Sequence, residues 1–310
     1  MKTTKRRRVV TYHSGRRFYS RRPSSGAVVA LFLVLLVGGG IFWRWTATMS
    51  PTNLLILGLD RRPGEGNVVR SDTIILTRIV PTQDCVALLS IPRDLYVDVP
   101  GHGSDRINTA HFWGEVQQPG SGPHWMMQTV AQNFGLPIQH YVRVDFEGFR
   151  AVVNAVGGID VYVERPIVDD AYPTDDYGTI HIEIPAGLQH MDGETALRYA
   201  RSRHGSSDFD RLQRQQQVLI ALLERLREPG VWPRLPFLYR AVSAYIETDL
   251  TTGELITLAP TLYRAASNGI EHHSIDREMT TPWVTPSGGA VLLPRWEAIA
   301  PLTQALCLPR

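Results

Sequence analysis

The sequence predicts an α/β fold with a central sheet, set behind one membrane-crossing helix. Two patterns predict it. From residue 53 onward, short apolar runs alternate with amphipathic stretches, as strands alternating with helices do. Before that, Gly26–Trp43 (GAVVALFLVLLVGGGIFW) carries no charge and, at 18 residues, just reaches the length that crosses a bilayer core. Charge is divided accordingly. The first 52 residues hold ten basic side chains and no acid, which leaves 22 basic against 30 acidic in 53–310, net −8. The overall +2 conceals both values.

Basic residues crowd the N-terminal side of the apolar run, so the positive-inside rule keeps the N-terminus in the cytoplasm. Trp43 and Trp45 suit the far interface, with Arg44 snorkelling outward. A cleaved leader would need a small-residue A-x-A site, and none follows. The expected layout is a basic cytoplasmic tail (1–25), a single-pass signal anchor in the cell membrane (26–45) and an extracytoplasmic domain (46–310, core 53–227). Topology accounts for the basic N-terminus more simply than nucleic-acid binding does, so no nucleic-acid partner is expected. The about 258 residues beyond the anchor suffice for one large core. Cys85 and Cys307 are the only cysteines. An oxidising compartment permits a disulfide between them, and two buried thiols fit equally well.

Within the domain, Asn53–Asp60 reads as a buried strand, followed by Thr73–Val80 and Cys85–Ile91 around the turn residues Pro81–Asp84. Ile107–Glu115 and His124–Asn133 are expected to be helical, and His140–Asp145 a short strand. Phe146–Val156 is an amphipathic helix stopped by Gly157-Gly158. Ile159–Glu164 alternates like a strand. Residues 165–179 carry Pro, Gly and four Asp, and are expected to form a solvated acidic loop without calcium-binding spacing. Ile180–Ile184 is a strand. Asp192 caps a helix to about Ala200, and Asp208 one over Phe209–Arg227. Thr251-x-x-Glu254 opens a helix to about Ser267 as a capping box.

Four segments carry polar groups that packing alone does not require. The densest, RYARSRHGSSDFDRLQRQQ (198–216), sets Arg198, Arg201, Arg203, Arg211 and Arg214 around Asp208 and Asp210. The planar guanidinium fork suits phosphate oxygens, which points to an anionic substrate. Its bland alternative is a solvated helix with local Asp–Arg pairs. Against this, nearby acids are too few for five arginines, and Val218, Leu219 and Leu222 provide an apolar docking side. Arg211 and Gln215, four apart, share a helix face. Leu57–Arg62 (LGLDRR) places Asp60, Arg61 and Arg62 at a strand's carboxyl end, where α/β sheets commonly hold ligands. Arg70-Ser71-Asp72-Thr73 precedes the next strand. Asp60 and Asp72 flank one loop, and together suit Mg²⁺ bridged to phosphate oxygens; equally, each can pair with a neighbouring Arg. In Ser90–Asp94, Arg93 either turns into the same cleft or pairs with Asp94 at the surface.

Taken in order, NLLILGLDRR, RSDTIIL, LLSIPRDLYVDVPGHG, RINTAHFWG, GLPIQHYVRVDFEGF, GGIDVYV and GLQHMDGETALRYARSRHGSSDFDRLQRQQQV resemble the LytR-CpsA-Psr family over about Asn53–Leu226. The resemblance implies a central mixed sheet flanked by helices on both sides, with a hydrophobic lipid-binding tunnel. It implies transfer of a glycopolymer phosphate from a polyprenyl-pyrophosphate-linked glycan to a peptidoglycan hydroxyl at the membrane, releasing polyprenyl phosphate. It places Mg²⁺ on Asp60 and Asp72, and the pyrophosphate among Arg62, Arg70, Arg93, Arg201, Arg203, Arg211 and Gln215, with Asp208 orienting them. Catalysis then rests on Asp60, Asp72, Arg93 and Arg201. The base is open between Asp60 and Asp72, with Asp94 a weaker candidate. Four positions depart from the family pattern: Arg61 (usually small), Arg106 (usually Lys), Glu115 (commonly Gly) and Asn154 (Asp expected). A Mg²⁺-dependent polyprenyl-pyrophosphate hydrolase and a non-catalytic lipid-binding or regulatory protein are the alternatives. Val152, Val153, Val156, Val218 and Leu222 read first as ordinary core, and only second as tunnel wall.

Overall fold

The computed structural model describes residues 50–61, 65–174, 176, 178–202 and 208–308. The expected membrane anchor, Arg62 and Arg203 lie outside them. Among the described residues, no helix is long and apolar enough to cross a membrane.

Strands β1 (Thr52–Leu59), β2 (Ser71–Val80) and β3 (Cys85–Ser90) come first, then the hairpin β4 (Tyr96–Val99) and β5 (Gly103–Arg106). Helices α1 (Thr109–Gln117) and α2 (Gly122–Phe134) precede β6 (His140–Asp145) and α3 (Phe146–Val156). Next are β7 (Ile159–Val163), β8 (Ile167–Pro173), β9 (Thr179–Ile184), β10 (Gly187–Met191), α4 (Gly193–Arg201) and α5 (Asp208–Arg227). The remainder forms α6 (Leu235–Tyr245), β11 (Ile246–Thr248), α7 (Thr252–Asn268), β12 (Glu271–Ser274), β13 (Thr280–Val284), β14 (Ala290–Pro294) and α8 (Trp296–Ala305).

The main sheet has the order β11-β6-β1-β2-β3-β12. β1 runs parallel to β6, and β3 parallel to β12; the other neighbours are antiparallel, so the sheet is mixed. Both faces are apolar because the strands alternate between two buried sets. Leu55, Leu57, Ile74, Leu76, Ala87 and Leu89 meet Met126 and Val130 of α2 and Ile299 of α8. Ile75, Ile79, Val86 and Leu88 meet Leu258 and Ala265 of α7 on the opposite face, with Leu219 of α5 beside them. A third cluster joins Val161 and Val163 of β7 to Val153 and Val156 of α3, Ala196 of α4 and Val218 of α5.

The expected helix starts are observed. The Asp192 side chain accepts from Thr195 N at 2.8 Å, and Thr251 and Glu254 form the reciprocal capping box. Helix α5 is described from Asp208 onward, and the residues just before it lie outside the described ones. One expectation is corrected and one open alternative is decided. Residues 165–179 are not a loop throughout, since β8 pairs with β9 across a hairpin. Its acids hid the strand. Asp170 points to solvent beside His181, while Asp169 and Tyr172 turn inward across a register irregularity that breaks the period of two. The two cysteines are not free thiols: a Cys85–Cys307 disulfide ties the start of β3 to the residues after α8. The C-terminal third, weakest in resemblance, supplies both outer strands of the main sheet, β11 and β12.

Candidate functional site

Between the α5/α7 face of the sheet and helices α3, α4 and α5 lies a cavity of about 630 Å³. Its sheet wall is Ile56 and Gly58 of β1, Thr73 and Ile75 of β2, and Val142 and Val144 of β6. Phe149 and Val152 of α3 and Leu197 of α4 wall it further. Helix α5 lays one stripe along it: Arg211, Gln215, Val218, Leu219 and Leu222, spaced 4, 7, 8 and 11 residues from the first. That stripe is polar in the helix's first turns and apolar beyond. At 1.5 Å per residue, the apolar part reaches about 10 Å past Gln215. Val152, Val218 and Leu222 therefore line the cavity, whereas Val153 and Val156 are plain core.

The polar groups collect where β1 ends and β2 begins. The period of two through Ile56 and Gly58 carries Asp60 onto the cavity side. Asp72 arrives by a different route. Gly58 pairs with Thr73 but Leu59 pairs with Ser71, so a bulge leaves Asp72 between two ladder positions. The bulge turns Ser71 toward Met126 in the core, with Ser71 Oγ 3.7 Å from its Sδ, and lets both Thr73 and Asp72 face the cavity. A Cβ on Gly58 would meet Thr73 Cβ at 2.8 Å, so this crossing needs glycine.

Arg201, at the C-terminal end of α4, is 12% exposed in its side chain, and its Nη2 lies 3.6 Å from Asp60 Oδ1. Its guanidinium sits 3.9 Å from the Phe146 ring centre and donates to Tyr172 Oη at 3.4 Å. Burial pushes the Tyr172 phenol up, and Arg201 offsets part of that rise. Arg211 lines the cavity and pairs with Asp208 at 3.0 Å. Arg93 donates to Asp72 at 2.7 Å and lies 3.5 Å from Asp94. Burial pulls the Arg93 guanidinium down, but Asp72, then Asp94 and Asp208, outweigh it and hold it above its ordinary value. Asp208 is thus within electrostatic reach of Arg93, and all four sequence segments converge. Gln215 faces the same end, with Oε1 buried and without a hydrogen-bond partner among the described residues. Arg70 is exposed and outside the cavity lining.

Asp169 and Asp145 escaped the sequence reading, whereas Arg214, Arg61 and Asn154 were singled out there and now gain partners. Asp169, buried and lining the cavity, accepts from Ser202 Oγ at 2.9 Å. Arg214 is buried and donates to Tyr199 O at 2.9 Å and to Ser202 O, tying down the α4 end that carries Arg201. Asp145 caps α3 through Gly148 N at 2.8 Å and pairs with Arg61, which also donates to Asn67 Oδ1 at 2.6 Å. Arg61, unusual for the family pattern, thereby fastens the loop after β1. Asn154 accepts from Gly193 N at 2.8 Å, as an aspartate there also would.

Glu115 belongs to a buried ionic network. It accepts from Arg143 Nη1 at 2.7 Å and from Gly120 N at 2.7 Å. His111 Nδ1 lies 2.7 Å from Val69 O, which fixes the proton on Nδ1 and leaves Nε2 to accept from Arg143 at 3.1 Å. Burial, followed by Arg143, holds His111 below its ordinary value despite that bond. The network anchors Val69, three residues before Asp72.

An apolar cavity of this size, with arginines and carboxylates gathered at one end on a mixed sheet, has the chemistry to hold an amphiphile by an anionic head. The chain belongs to the LytR_cpsA_psr family, whose model matches residues 43–290. It is 36% identical over 226 residues to the polyisoprenyl-teichoic acid–peptidoglycan teichoic acid transferase TagU of Oceanobacillus iheyensis, a match covering 72% of this chain and 66% of that relative. Among solved structures, it resembles Bacillus subtilis TagV with a TM-score of 0.66 at 29% identity, covering 82% of this chain and 96% of that one. It also resembles TagT bound to LI-WTA, with a TM-score of 0.66 at 26% identity, covering 84% and 90%.

Proposed function

We propose that this chain is a phosphotransferase that moves a glycopolymer phosphate from a polyprenyl-pyrophosphate-linked donor to a peptidoglycan hydroxyl, with release of polyprenyl phosphate. The observation that carries this reading is the cavity's polarity: an apolar interior walled by Val152, Val218, Leu219 and Leu222, with Asp60, Asp72, Arg201 and Arg211 gathered at one end. The names of the TagU and TagT relatives support the same donor and acceptor classes.

In this reading, Arg201 and Arg211 grip the pyrophosphate oxygens, and Arg93 acts through its pair with Asp72. Phosphoryl transfer asks for positioning and charge neutralisation more than for covalent protein chemistry. The acceptor oxygen attacks the phosphorus that bears the glycan, the bond to the bridging oxygen breaks, and its electrons leave on polyprenyl phosphate. The hydroxyl proton passes to a carboxylate at the mouth. Asp94 lies outside the cavity lining between Arg93 and Arg106, so the base in this reading is whichever of Asp60 and Asp72 a metal leaves uncoordinated, since a metal-bound carboxylate is a poor base.

A Mg²⁺ ion fits the donor set. Asp60 and Asp72 line one cavity and supply hard oxygens, and Mg²⁺ characteristically takes one or two carboxylates plus substrate phosphates. When bound, it would add charge neutralisation at the phosphates. The charge-free run Gly26–Trp43 is the proposed single-pass anchor, with the domain on the outer side of the cell membrane. The test incubates the full-length chain in detergent with a polyprenyl-pyrophosphoryl glycan and a peptidoglycan oligomer, with Mg²⁺ or EDTA, and reads products by mass spectrometry. A glycan–phosphate–peptidoglycan product lost in EDTA is expected. Glycan phosphate released without joining would replace the transferase by the hydrolase.

A further inference from the structure

In the transferase reading the donor's lipid fills the apolar cavity, so the acceptor reaches the phosphorus from the polar end. One row of half-exposed side chains leads outward from Asp72. Arg93 pairs with Asp72 at 2.7 Å, Asp94 lies 3.5 Å from Arg93, and Arg106 lies 3.3 Å from Asp94. Arg106 stands opposite Tyr96 in the β4–β5 ladder, on one face of that hairpin. The Tyr96 ring meets Trp283 edge-on, with centroids 5.6 Å apart. Trp283 is 38% exposed, and the row ends there in solvent.

The fold builds this row deliberately far along the chain. Trp283 sits on the β13–β14 hairpin, which adds nothing to the main sheet. That hairpin is instead fastened beside the row. Leu292 N donates to Asp94 O at 2.9 Å, Leu95 bridges to Leu292, and Arg106 donates to Ala290 O at 2.9 Å. Its described attachments therefore hold an exposed aromatic at the far end of the chain of contacts that starts at Asp72.

We propose that this row is the acceptor track, and that Tyr96 and Trp283 form a platform on which a sugar ring of a peptidoglycan glycan strand stacks. The proposal rests on the transferase reading and deepens it. A glycan strand presents flat apolar ring faces edged by hydroxyls, amides and carboxylates. Aromatic faces match the first, and alternating Arg and Asp groups match the second. A lipid would not use a row of ion pairs, and Asp72 marks the end at which the acceptor hydroxyl would be delivered.

The test measures transfer by the full-length chain in detergent, with a peptidoglycan oligomer of N-acetylglucosamine and N-acetylmuramic acid as the varied substrate. Trp283→Ala should raise the acceptor KM about tenfold, the effect of losing one good aromatic contact, while donor KM stays within about twofold. Trp283→Tyr, which keeps a ring on the hairpin, should recover most of the loss. A thermal melt shows that both variants fold. An unchanged acceptor KM in Trp283→Ala overturns the track. Binding of the same oligomer is followed separately by saturation-transfer NMR. If the parent chain transfers nothing, binding that disappears in Trp283→Ala would keep the track and remove the transferase reading. Binding that is absent or indifferent to the substitution would remove the track.

Discussion

Arg201 gives the sharpest test of the site because its neighbours on three sides are known. Its guanidinium is stacked on Phe146 at 3.9 Å, close to Asp60 at 3.6 Å, and directed at the cavity. Arg201→Ala removes one charge-assisted hydrogen bond to the donor phosphate, worth about 1.5–3 kcal/mol, which corresponds to about a 10- to 150-fold rise in donor Kd. The fold should lose far less. The stacking contact contributes about 1 kcal/mol, and the backbone of α4 is held independently by Arg214 through Tyr199 O and Ser202 O. Arg201→Lys keeps the charge but not the planar fork, so it should fall between the two. The assay is titration of detergent-solubilised chain with a polyprenyl-pyrophosphoryl glycan, beside a thermal melt of each variant. Equal donor affinity in the parent and Arg201→Ala, with unchanged melts, would refute the placement of the pyrophosphate.

Asp72→Ala should lower transfer by about 10²–10³ or more while lipid binding persists, and unchanged transfer would remove the metal assignment. The His111 network should make stability acid-sensitive. His111 is held below its ordinary value of 6.5, so the unfolded chain binds a proton that the folded chain refuses. Stability is then complete above that value and falls as pH drops below it, toward the folded-state value. Glu115 extends the loss at lower pH. Burial raises it, but the Gly120 bond and Arg143 win and leave it below its ordinary value. Its contribution therefore disappears as pH falls through the carboxylate range. Melting points from pH 8 to 3 check this, and His111→Gln should flatten the upper part of the curve. Reducing Cys85–Cys307, which closes 222 residues, should destabilise the domain by about 2–5 kcal/mol, read as a lower melting point in a thiol reductant.

How much of this was legible depended on whether the signal was local. The strands at 53–60 and 140–145, the helix over 146–156 and the Asp192 and Thr251 caps are short-range patterns, and they stand where periodicity and capping chemistry put them. The cavity stripe on α5 was half legible. Arg211 and Gln215 were assigned to one face by their spacing, but Val218 and Leu222 could not be told from core, because an apolar wall and an apolar core have the same composition. The strand β8 was lost because acids and a register irregularity disguised a half-buried strand as a loop.

Asp72 shows where local reading ends. Alternation along β2 puts Ile75 and Thr73 on the cavity side, and would put Ser71 there next, sending Asp72 into the opposite core. The motif RSDT suggested that Asp72 serves the site but held no reason why it could reach it. That reason is non-local: the step in pairing between Gly58 and Leu59 on the neighbouring strand. The step is favoured from both sides, since Gly58 leaves no Cβ to collide with Thr73, and Ser71 is small enough to settle against Met126. One extra residue in a ladder thereby turns an acid that strand geometry would have buried among hydrophobic side chains into the partner of Arg93 at the cavity's polar end.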